Sequence, residues 1–135
     1  MIGRGMSKII LSIRPEYTKR ILDGDKKYEY RRVLAKKDVK TILIYCTHPL
    51  MKVVGEVEVE GVISTSPCDM WNRTRDKAGI SDKDFFKYFD GVKNANAYIL
   101  GKVKQYKKPK QLVSIGIKIA PPPIFPIYKI DFIIF

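Results

Sequence analysis

The feature that most constrains the fold of this chain is a long stretch, Met51–Thr65, in which valine and glutamate alternate. Val57 and Val59 fall on one side of an extended segment and the glutamates fall on the other, so the pattern predicts a strand with one buried and one solvated face. Gly55 and Gly61 lie inside this strand, where glycine permits a bulge or a bend. The segment therefore predicts a sheet that curves, as in a small barrel.

The rest of the chain divides into short segments of strand or helix length. Strands are predicted at Lys8–Ile13, Lys26–Val33, Thr41–Thr47, Ala97–Tyr106, Leu112–Ile119 and Ile127–Phe135. Helices are predicted from Pro15 to a cap at Gly24, over Pro67–Lys77, and from a cap at Ser81 to Gly91. Short helices among closely connected strands predict fold class α+β, with mostly antiparallel strands in a small β-barrel and helices at its openings.

Length and composition favour one folded domain. The 135 residues fit a single domain, and a hydrophobic content of 45% excludes global disorder. No apolar run reaches the roughly 18 residues of a membrane-spanning helix, and residues 1–7 lack the apolar run of a secretion signal. We therefore expect one domain over residues 1–135, with a flexible N-terminus at 1–7, in a soluble cytoplasmic protein.

The charge is distributed unevenly along the chain. There are 26 basic and 14 acidic side chains, which give a formal net charge of +12. Residues 1–40 hold 12 basic and 5 acidic side chains, residues 41–90 hold 6 and 8, and residues 91–135 hold 8 and 1. Two basic ends therefore flank a slightly acidic middle, which predicts affinity for polyanions if both ends reach one surface. A lysine-rich coat that only keeps the protein soluble is the alternative explanation.

Familiar catalytic and metal-binding patterns are absent from the sequence. His48 is the single histidine, and no motif around it supports a Ser-His-Asp triad. Cys46 and Cys68 together with His48 supply at most three soft ligands, without the Cys-x-x-Cys spacing of a structural zinc site. Both cysteines are therefore expected to be buried, reduced thiols, and no metal or other cofactor is expected.

One cluster of charged residues is a candidate binding site. The run Gly24–Arg32 concentrates lysine and arginine around Glu29 at the mouth of a predicted strand. A carboxylate beside cations stays ionised and accepts hydrogen bonds from the exocyclic amine of a base, while arginine and lysine bind phosphate. The alternative is a ladder of cross-strand ion pairs, each worth less than about 1 kcal/mol when exposed.

Several blocks of residues, in order along the chain, point to one family. The first block is Leu11-Ser12-Ile13-Arg14-Pro15 followed by Gly24-x-Lys26-x-x-Glu29-x-Arg31, and the later blocks are Leu43–Pro49, Val54–Val57, Phe85–Gly91 and Ala97–Val103. Over roughly residues 8–115 the sequence resembles the ASCH domain family, which belongs to the PUA-like superfamily of small β-barrels. The resemblance implies such a barrel, with a cleft beside the Gly-x-Lys loop.

The resemblance also implies a partner. PUA-like domains are widely associated with RNA, and some admit a single base into the cleft. The implied nucleic-acid-binding residues are Arg14, Lys26, Glu29, Arg31, Thr47 and Trp71. Single-stranded RNA suits such a site because its bases can be splayed out and stacked on aromatic rings. The leading hypothesis is an RNA-binding ASCH-type module in transcription- or translation-linked regulation.

An enzyme is the alternative that the resemblance keeps open. A bacterial branch of the family resembles an amidohydrolase that acts on N4-acetylcytidine with a lysine, a threonine and a glutamate. The lysine falls on Lys26, but the threonine position holds Glu29, and the glutamate has no matching motif here. If this chain is an enzyme, Lys26 and Glu29 would act as an acid–base pair.

The C-terminal part of the chain suggests a third hypothesis. Residues 120–135 combine a proline-rich connector, Pro121–Pro126, with a very apolar predicted strand. Such a segment is more often a stiff spacer, but it can also dock on a partner. The chain would then be an interaction module that forms a homo-oligomer or binds another protein through this segment, and no membrane partner is expected.

Overall fold

A computed structural model of the chain describes residues 7–36 and 38–116, and the backbone of a short strand at 132–133. The strands are β1 (Lys8–Ile13), β2 (Tyr28–Arg31), β3 (Thr41–Cys46), β4 (Lys52–Thr65), β5 (Ala95–Lys110) and β6 (Phe132–Ile133). The α-helices are α1 (Pro15–Asp23), α2 (Pro67–Thr74) and α3 (Asp82–Tyr88), and short 3-10 turns span Arg75–Lys77 and Leu112–Ile115. The predicted flexible N-terminus and proline-rich connector lie almost entirely outside the described residues.

The strands form one mixed sheet in the order β2-β5-β4-β3-β1-β6. β1 and β3 pair in parallel, and every other pairing is antiparallel. The predicted α+β class with mostly antiparallel strands is therefore confirmed. Within the described residues β2 and β6 are the two edges of the sheet and no ladder joins them, so the predicted closure into a barrel is not confirmed.

The long strand β4 behaves as the valine and glutamate pattern predicts. Val57 is buried, whereas Glu58 and Glu60 are exposed. The register with β5 shifts between Val53 and Gly55 and again between Val59 and Gly61, which are the places where the two glycines permit a bulge. A Cβ at Gly55 would lie 2.5 Å from the carbonyl oxygen of Lys104, so the two backbones approach more closely there than a larger residue allows.

Two apolar cores lie against the sheet and position the helices. The first joins α1 to β1, β3, β4 and β5, with Ile9, Ile21, Ile44 and Val57 among its buried members. The second joins α2 and α3 to β2 and to the start of β5, with Phe85 at its centre. None of the described helices is long and apolar enough to cross a membrane.

Capping residues set the ends of the helices. Pro15 begins α1, and Gly24 ends it at φ 86°, a left-handed conformation that glycine adopts without strain. The hydroxyls of Ser66 and Ser81 accept hydrogen bonds from the N–H groups of Asp69 and Asp84 and so cap α2 and α3. These starts and the Gly24 cap agree with the sequence prediction.

The buried side of α2 differs from the prediction. Met70 and Thr74 face the second core, and the Thr74 hydroxyl lies 2.7 Å from both the Met70 carbonyl oxygen and the Tyr30 hydroxyl. Cys68 is exposed, so its prediction as a buried thiol is wrong. The reason is helical phase, since the inward positions are four residues apart at 70 and 74 and position 68 faces outward.

The predicted strand over Leu112–Ile119 is also wrong where the structure describes it. Leu112–Ile115 forms a 3-10 turn that ends at Gly116 with φ 90°. Leu112 and Ile115 pack against a small core that contains Ile10 and Tyr45, so their apolar character serves packing rather than strand pairing. Of the last predicted strand, Ile127–Phe135, the structure describes β6, which pairs antiparallel with β1.

The close approach of β4 and β5 generates a testable prediction. Gly55→Ala should lower the free energy of unfolding by about 1–3 kcal/mol because its Cβ would collide with backbone rather than with a movable side chain. Gly61→Ala is the matched control, since its Cβ would meet only Ile99 Cδ1 at 3.6 Å and should change stability by less than about 0.5 kcal/mol. Urea unfolding of both variants measures the difference, and equal stabilities would contradict the described register.

Candidate functional site

A buried ion pair on β2 is the centre of the candidate site. Glu29 and Arg31 are two residues apart on this strand and therefore share one face. Arg31 Nη2 lies 2.8 Å from Glu29 Oε2, and the side chains of Arg31 and Glu29 are 0% and 9% exposed. The alternative of an exposed ladder of ion pairs does not describe these two residues, because both are withdrawn from solvent.

The Arg31 side chain also connects two strands that are distant in the sheet. Arg31 Nη2 donates a hydrogen bond of 3.3 Å to the main-chain carbonyl of Ser12 in β1. β2 and β1 are separated by β5, β4 and β3 in the sheet order. The sheet therefore curls enough for a single side chain to bridge from its β2 edge to β1, although no backbone ladder closes it within the described residues.

Three buried polar atoms at this bridge have no hydrogen-bond partner among the described residues. They are Arg31 Nε, Arg31 Nη1 and Ser12 Oγ. Buried polar atoms are nearly always paired in native structures, and leaving one unpaired costs about 1–3 kcal/mol. The arrangement therefore holds two cationic N–H donors and one hydroxyl unpaired beside the Glu29 carboxylate, and all of them are withdrawn from solvent.

Hydrogen bonds from neighbouring elements fix the segment that follows Arg31. The Arg32 N–H donates to the Tyr88 hydroxyl at 3.2 Å, the Ala35 N–H donates to the Tyr98 hydroxyl at 2.9 Å, and Asn96 Nδ2 donates to the Arg32 carbonyl at 3.1 Å. Burial raises the pKa of the Tyr88 phenol, and the nearby Arg31 charge opposes that shift. Burial is the larger effect, so the phenol stays neutral beside the ion pair at physiological pH.

Lys26 is buried at a different place. Its ammonium donates a 2.7 Å hydrogen bond to the Ala78 carbonyl and lies 4.7 Å from the centre of the Tyr30 ring and 5.4 Å from that of Tyr17. The Lys26 stem packs against Gly79, which has φ 64°. Lys26 therefore ties the entrance of β2 to the segment between α2 and α3, and two aromatic rings stabilise its charge.

The geometry does not favour Lys26 and Glu29 as an acid–base pair. Lys26 contacts Tyr30, which points to the second core, whereas Glu29 points to the opposite face of β2 and is paired with Arg31. Successive residues of a strand alternate between faces, so the strand backbone separates the two groups. The lysine and the glutamate side chains therefore lie on different sides of the sheet.

The other predicted site residues lie in two places. Arg14 precedes α1, and the Thr47 N–H donates to the Ile13 carbonyl at 3.1 Å, so both residues stand at the carboxyl ends of the paired strands β1 and β3. Trp71 packs on Phe85, with ring centres 4.9 Å apart, and belongs to the second core. The structure thus joins Glu29 and Arg31 directly, places Arg14 and Thr47 at the ends of β1 and β3, and puts Lys26 and Trp71 at the second core.

Sequence reasoning missed Ser12. The only signal that could have revealed it is a single small polar residue in the otherwise apolar run Ile9–Ile13. Such a residue interrupts the apolar pattern of a buried strand, and its hydroxyl needs a hydrogen-bond partner when it is buried. Its partner strand and the arginine that reaches it come from distant parts of the chain, so the run alone does not identify the site.

The described residues contain no group of three or more His, Cys, Asp or Glu side chains that could hold a metal ion. His48 is exposed, and Cys46 is buried at the end of β3. Burial raises the pKa of the Cys46 thiol, and a hydrogen bond with Thr18 opposes the shift. Cys46 is therefore a protonated thiol within the first core, as the sequence predicts.

Comparison with known proteins agrees with this architecture. The model of the ASCH domain family matches residues 11–122, which is most of the chain. This chain belongs to the ASCH domain family. The crystal structure of ASCH from Zymomonas mobilis has a TM-score of 0.74 at 28% identity and covers 80% of this chain and 76% of that one. The structure of a serine-to-alanine mutant of the same protein has a TM-score of 0.76 at 26% identity, and the match covers 85% of this chain and 84% of that one.

Sequence relatives match this chain over part of their length. An ASCH domain-containing ribonuclease from Zymomonas mobilis is 30% identical over 92 residues, 67% of this chain and 62% of the relative. From Ureaplasma parvum, ATP synthase subunit alpha is 33% identical over 114 residues, 84% of this chain and 14% of that protein. Large ribosomal subunit protein uL22 of the same organism is 29% identical over 105 residues, which are 77% of this chain and 34% of that protein. This chain spans less than two thirds of each of these relatives.

The contact between Gly79 and Lys26 generates a second prediction. Gly79→Ala should destabilise the domain by more than Gly91→Ala, because both glycines have positive φ but only a Cβ at 79 would meet the Lys26 side chain, at 2.5 Å. The positive φ alone costs alanine about 1–2 kcal/mol in each variant. We expect a further loss of about 1 kcal/mol for Gly79→Ala in urea unfolding. Equal losses would mean that Lys26 does not pack there.

Proposed function

We propose that this ASCH domain binds single-stranded RNA and that Arg31, Glu29 and Ser12 contact an unstacked base. The observation that carries the proposal is the buried arginine with two unpartnered N–H groups beside an unpartnered hydroxyl. A ligand that supplies acceptors to these donors would remove the energetic penalty of leaving them unpaired. Base carbonyl and ring nitrogen atoms are such acceptors, and arginine commonly donates to them in pairs.

The chemistry of the site suits single strands more than duplexes. The bases of single-stranded RNA can turn outward and enter a protein recess, whereas those of a duplex remain stacked and paired. The Glu29 carboxylate adds an acceptor for an exocyclic amine, which a phosphate alone would not require. Arg14 and Thr47, at the ends of β1 and β3, are proposed to contact the sugar or phosphate beside that base.

The charge distribution supports the same proposal. β2, from the basic first part of the chain, pairs with β5, from the basic last part, so these two regions are neighbours in the sheet. Where the exposed lysines and arginines of these regions form a basic surface, that surface attracts the phosphate backbone without regard to sequence. Two relatives have names that concern RNA, the ribonuclease of Zymomonas mobilis and the ribosomal protein of Ureaplasma parvum.

An RNA-cleaving or RNA-modifying hydrolase is the second candidate, and the ribonuclease relative is the observation that favours it. The predicted Lys26–Glu29 pair receives no support from the geometry, because the two groups lie on opposite faces of β2. An activity would need other groups at the Arg31 site. Incubation of the protein with labelled single-stranded RNA and with N4-acetylcytidine tests this candidate, since a binding module alone would leave both unchanged.

Several broader expectations stay proposals. They are a single domain over residues 1–135, a protein partner or second copy on residues 120–135, a place in transcription- or translation-linked regulation, and a cytoplasmic location. A role for Lys26 or Trp71 in RNA binding would require contact on the opposite side from the Arg31 site. Alanine substitution of Trp71 with a binding measurement tests that role separately.

The proposal predicts a selective loss when Arg31 changes to lysine. Arg31→Lys keeps the charge but removes the fork of donors, so affinity for a short single-stranded RNA should fall about tenfold or more, while the dependence of binding on salt should stay the same. Arg75→Lys is the matched control because Arg75 is exposed. Fluorescence anisotropy over a salt series, with duplex DNA as the competing ligand, measures both effects.

Ser12→Ala provides a second variant that should fold normally. The Ser12 hydroxyl has no partner among the described residues, so replacing the hydroxymethyl group with a methyl group should leave the free energy of unfolding unchanged or raise it, by up to about 3 kcal/mol. If the hydroxyl contacts RNA, affinity should still fall several-fold. Unchanged affinity in both Arg31→Lys and Ser12→Ala, or equal binding of RNA and duplex DNA that disappears with salt, would contradict the proposal.

A further inference from the structure

A groove of about 410 Å³ lies between α1 and the second half of β5, and its lining does not include Ser12, Glu29 or Arg31. Leu22, Cys46 and Val54 provide apolar lining, Tyr106 forms part of the wall, and Lys19 and Lys107 are charged residues at its rim. Asp23 also lines the groove and is paired with Lys19 at 2.8 Å. This volume lies within the usual range of small-ligand sites, roughly 300–1,000 Å³.

The groove runs along a bulged part of β5. Its lining includes Gln105, Tyr106, Lys107 and Pro109, which lie at the register shift between the Val53–Lys110 and Gly55–Gln105 pairs of the β4–β5 ladder. β2 pairs with β5 only as far as Ile99, and the Leu100 N–H then donates to the Lys27 carbonyl. In the part of the chain that the structure describes, no strand other than β4 pairs with residues 101–110.

The same half of β5 carries a row of exposed cations. They are Lys102, Lys104, Lys107, Lys108 and Lys110. Glu58 and Glu56 line a recess with Lys102 and Lys104, and Glu56 also pairs with Lys104 across the ladder and accepts a 2.7 Å hydrogen bond from the Tyr106 hydroxyl. Lys107 and Lys108 lie beyond that carboxylate, at the end of the strand beside the groove.

We propose that this groove receives a second unstacked base of single-stranded RNA, while the phosphate backbone follows Lys107 and Lys108. The proposal rests on the proposed RNA binding and adds a binding surface that the Arg31 site does not include. An apolar recess beside a row of cations matches a base attached to phosphate, because the base loses contact with water in the recess as the phosphates meet the lysines. Burial together with the Glu56 carboxylate raises the pKa of Tyr106, so its phenol stays neutral.

An acidic peptide added along the β5 edge is the competing occupant. Lysines and a proline on an edge strand are also features that discourage strand pairing, and Pro109 has no N–H to offer. The lysines and the proline of this segment therefore favour a nucleotide over an additional strand. The experiment distinguishes the two, since a peptide would compete with RNA only if both use this groove.

The test compares two double substitutions that remove the same charge. Lys107→Gln with Lys108→Gln should weaken single-stranded RNA binding about tenfold and reduce the slope of log affinity against log salt by about 0.7 for each lysine that contacts a phosphate. Lys83→Gln with Lys87→Gln, on the exposed side of α3, is the control and should change affinity less than about twofold. Equal effects of the two pairs would overturn the proposal and leave only attraction by net charge.

Photo-crosslinking locates the base independently of affinity. A short RNA that contains 4-thiouridine should crosslink to Tyr106 or to another groove residue in the wild-type protein, and the Lys107 and Lys108 variant should lose that crosslink. Crosslinks confined to β1 and β2 would overturn this inference while supporting the Arg31 site. Failure of the wild-type protein to bind RNA would instead refute the proposed function, and displacement of a bound acidic peptide without any RNA crosslink would assign the groove to a peptide.

Discussion

The fully buried guanidinium of Arg31 is the interaction on which the described sheet and the candidate site both depend. Arg31 extends from the edge strand β2 to the Ser12 carbonyl in β1, across three intervening strands in the sheet order, and Glu29 balances its charge. Removing one member of a buried ion pair typically costs about 3–5 kcal/mol because the other charge is left unpaired. One side chain therefore supports the curl of the sheet and also keeps two N–H donors unpaired among the described residues.

The local sequence was sufficient for most of the fold because strand period and capping residues are local signals. The valine and glutamate alternation fixes the faces of β4, and Gly24 and Ser81 mark helix ends as predicted. The errors arise where tertiary packing, rather than the local sequence, determines the backbone conformation. The apolar run at Leu112–Ile115 packs as a 3-10 turn on the core around Ile10, a contact with a distant part of the chain that no local period reveals.

The site was only partly predictable for the same reason. The alternation of β2 correctly places Glu29 with Arg31 and apart from Lys26, since it depends on neighbours in sequence. The burial of that pair and the contribution of Ser12 depend on β1 and β2 meeting through the curl of the sheet. The charge of Lys26 predicted a binding residue. In the structure its ammonium is buried and donates a hydrogen bond to the Ala78 carbonyl, which is a structural contact.

The most direct test of this account is an NMR measurement of the Arg31 side chain in the wild-type protein. The Arg31 Nε–H group is buried without a partner among the described residues, so its signal should be protected from exchange with water and should shift when a short single-stranded RNA is added. The signals of exposed arginines such as Arg75 should shift little at the same RNA concentration. An Arg31 signal that exchanges rapidly, or that stays unchanged while RNA binds elsewhere on the protein, would contradict the central claim.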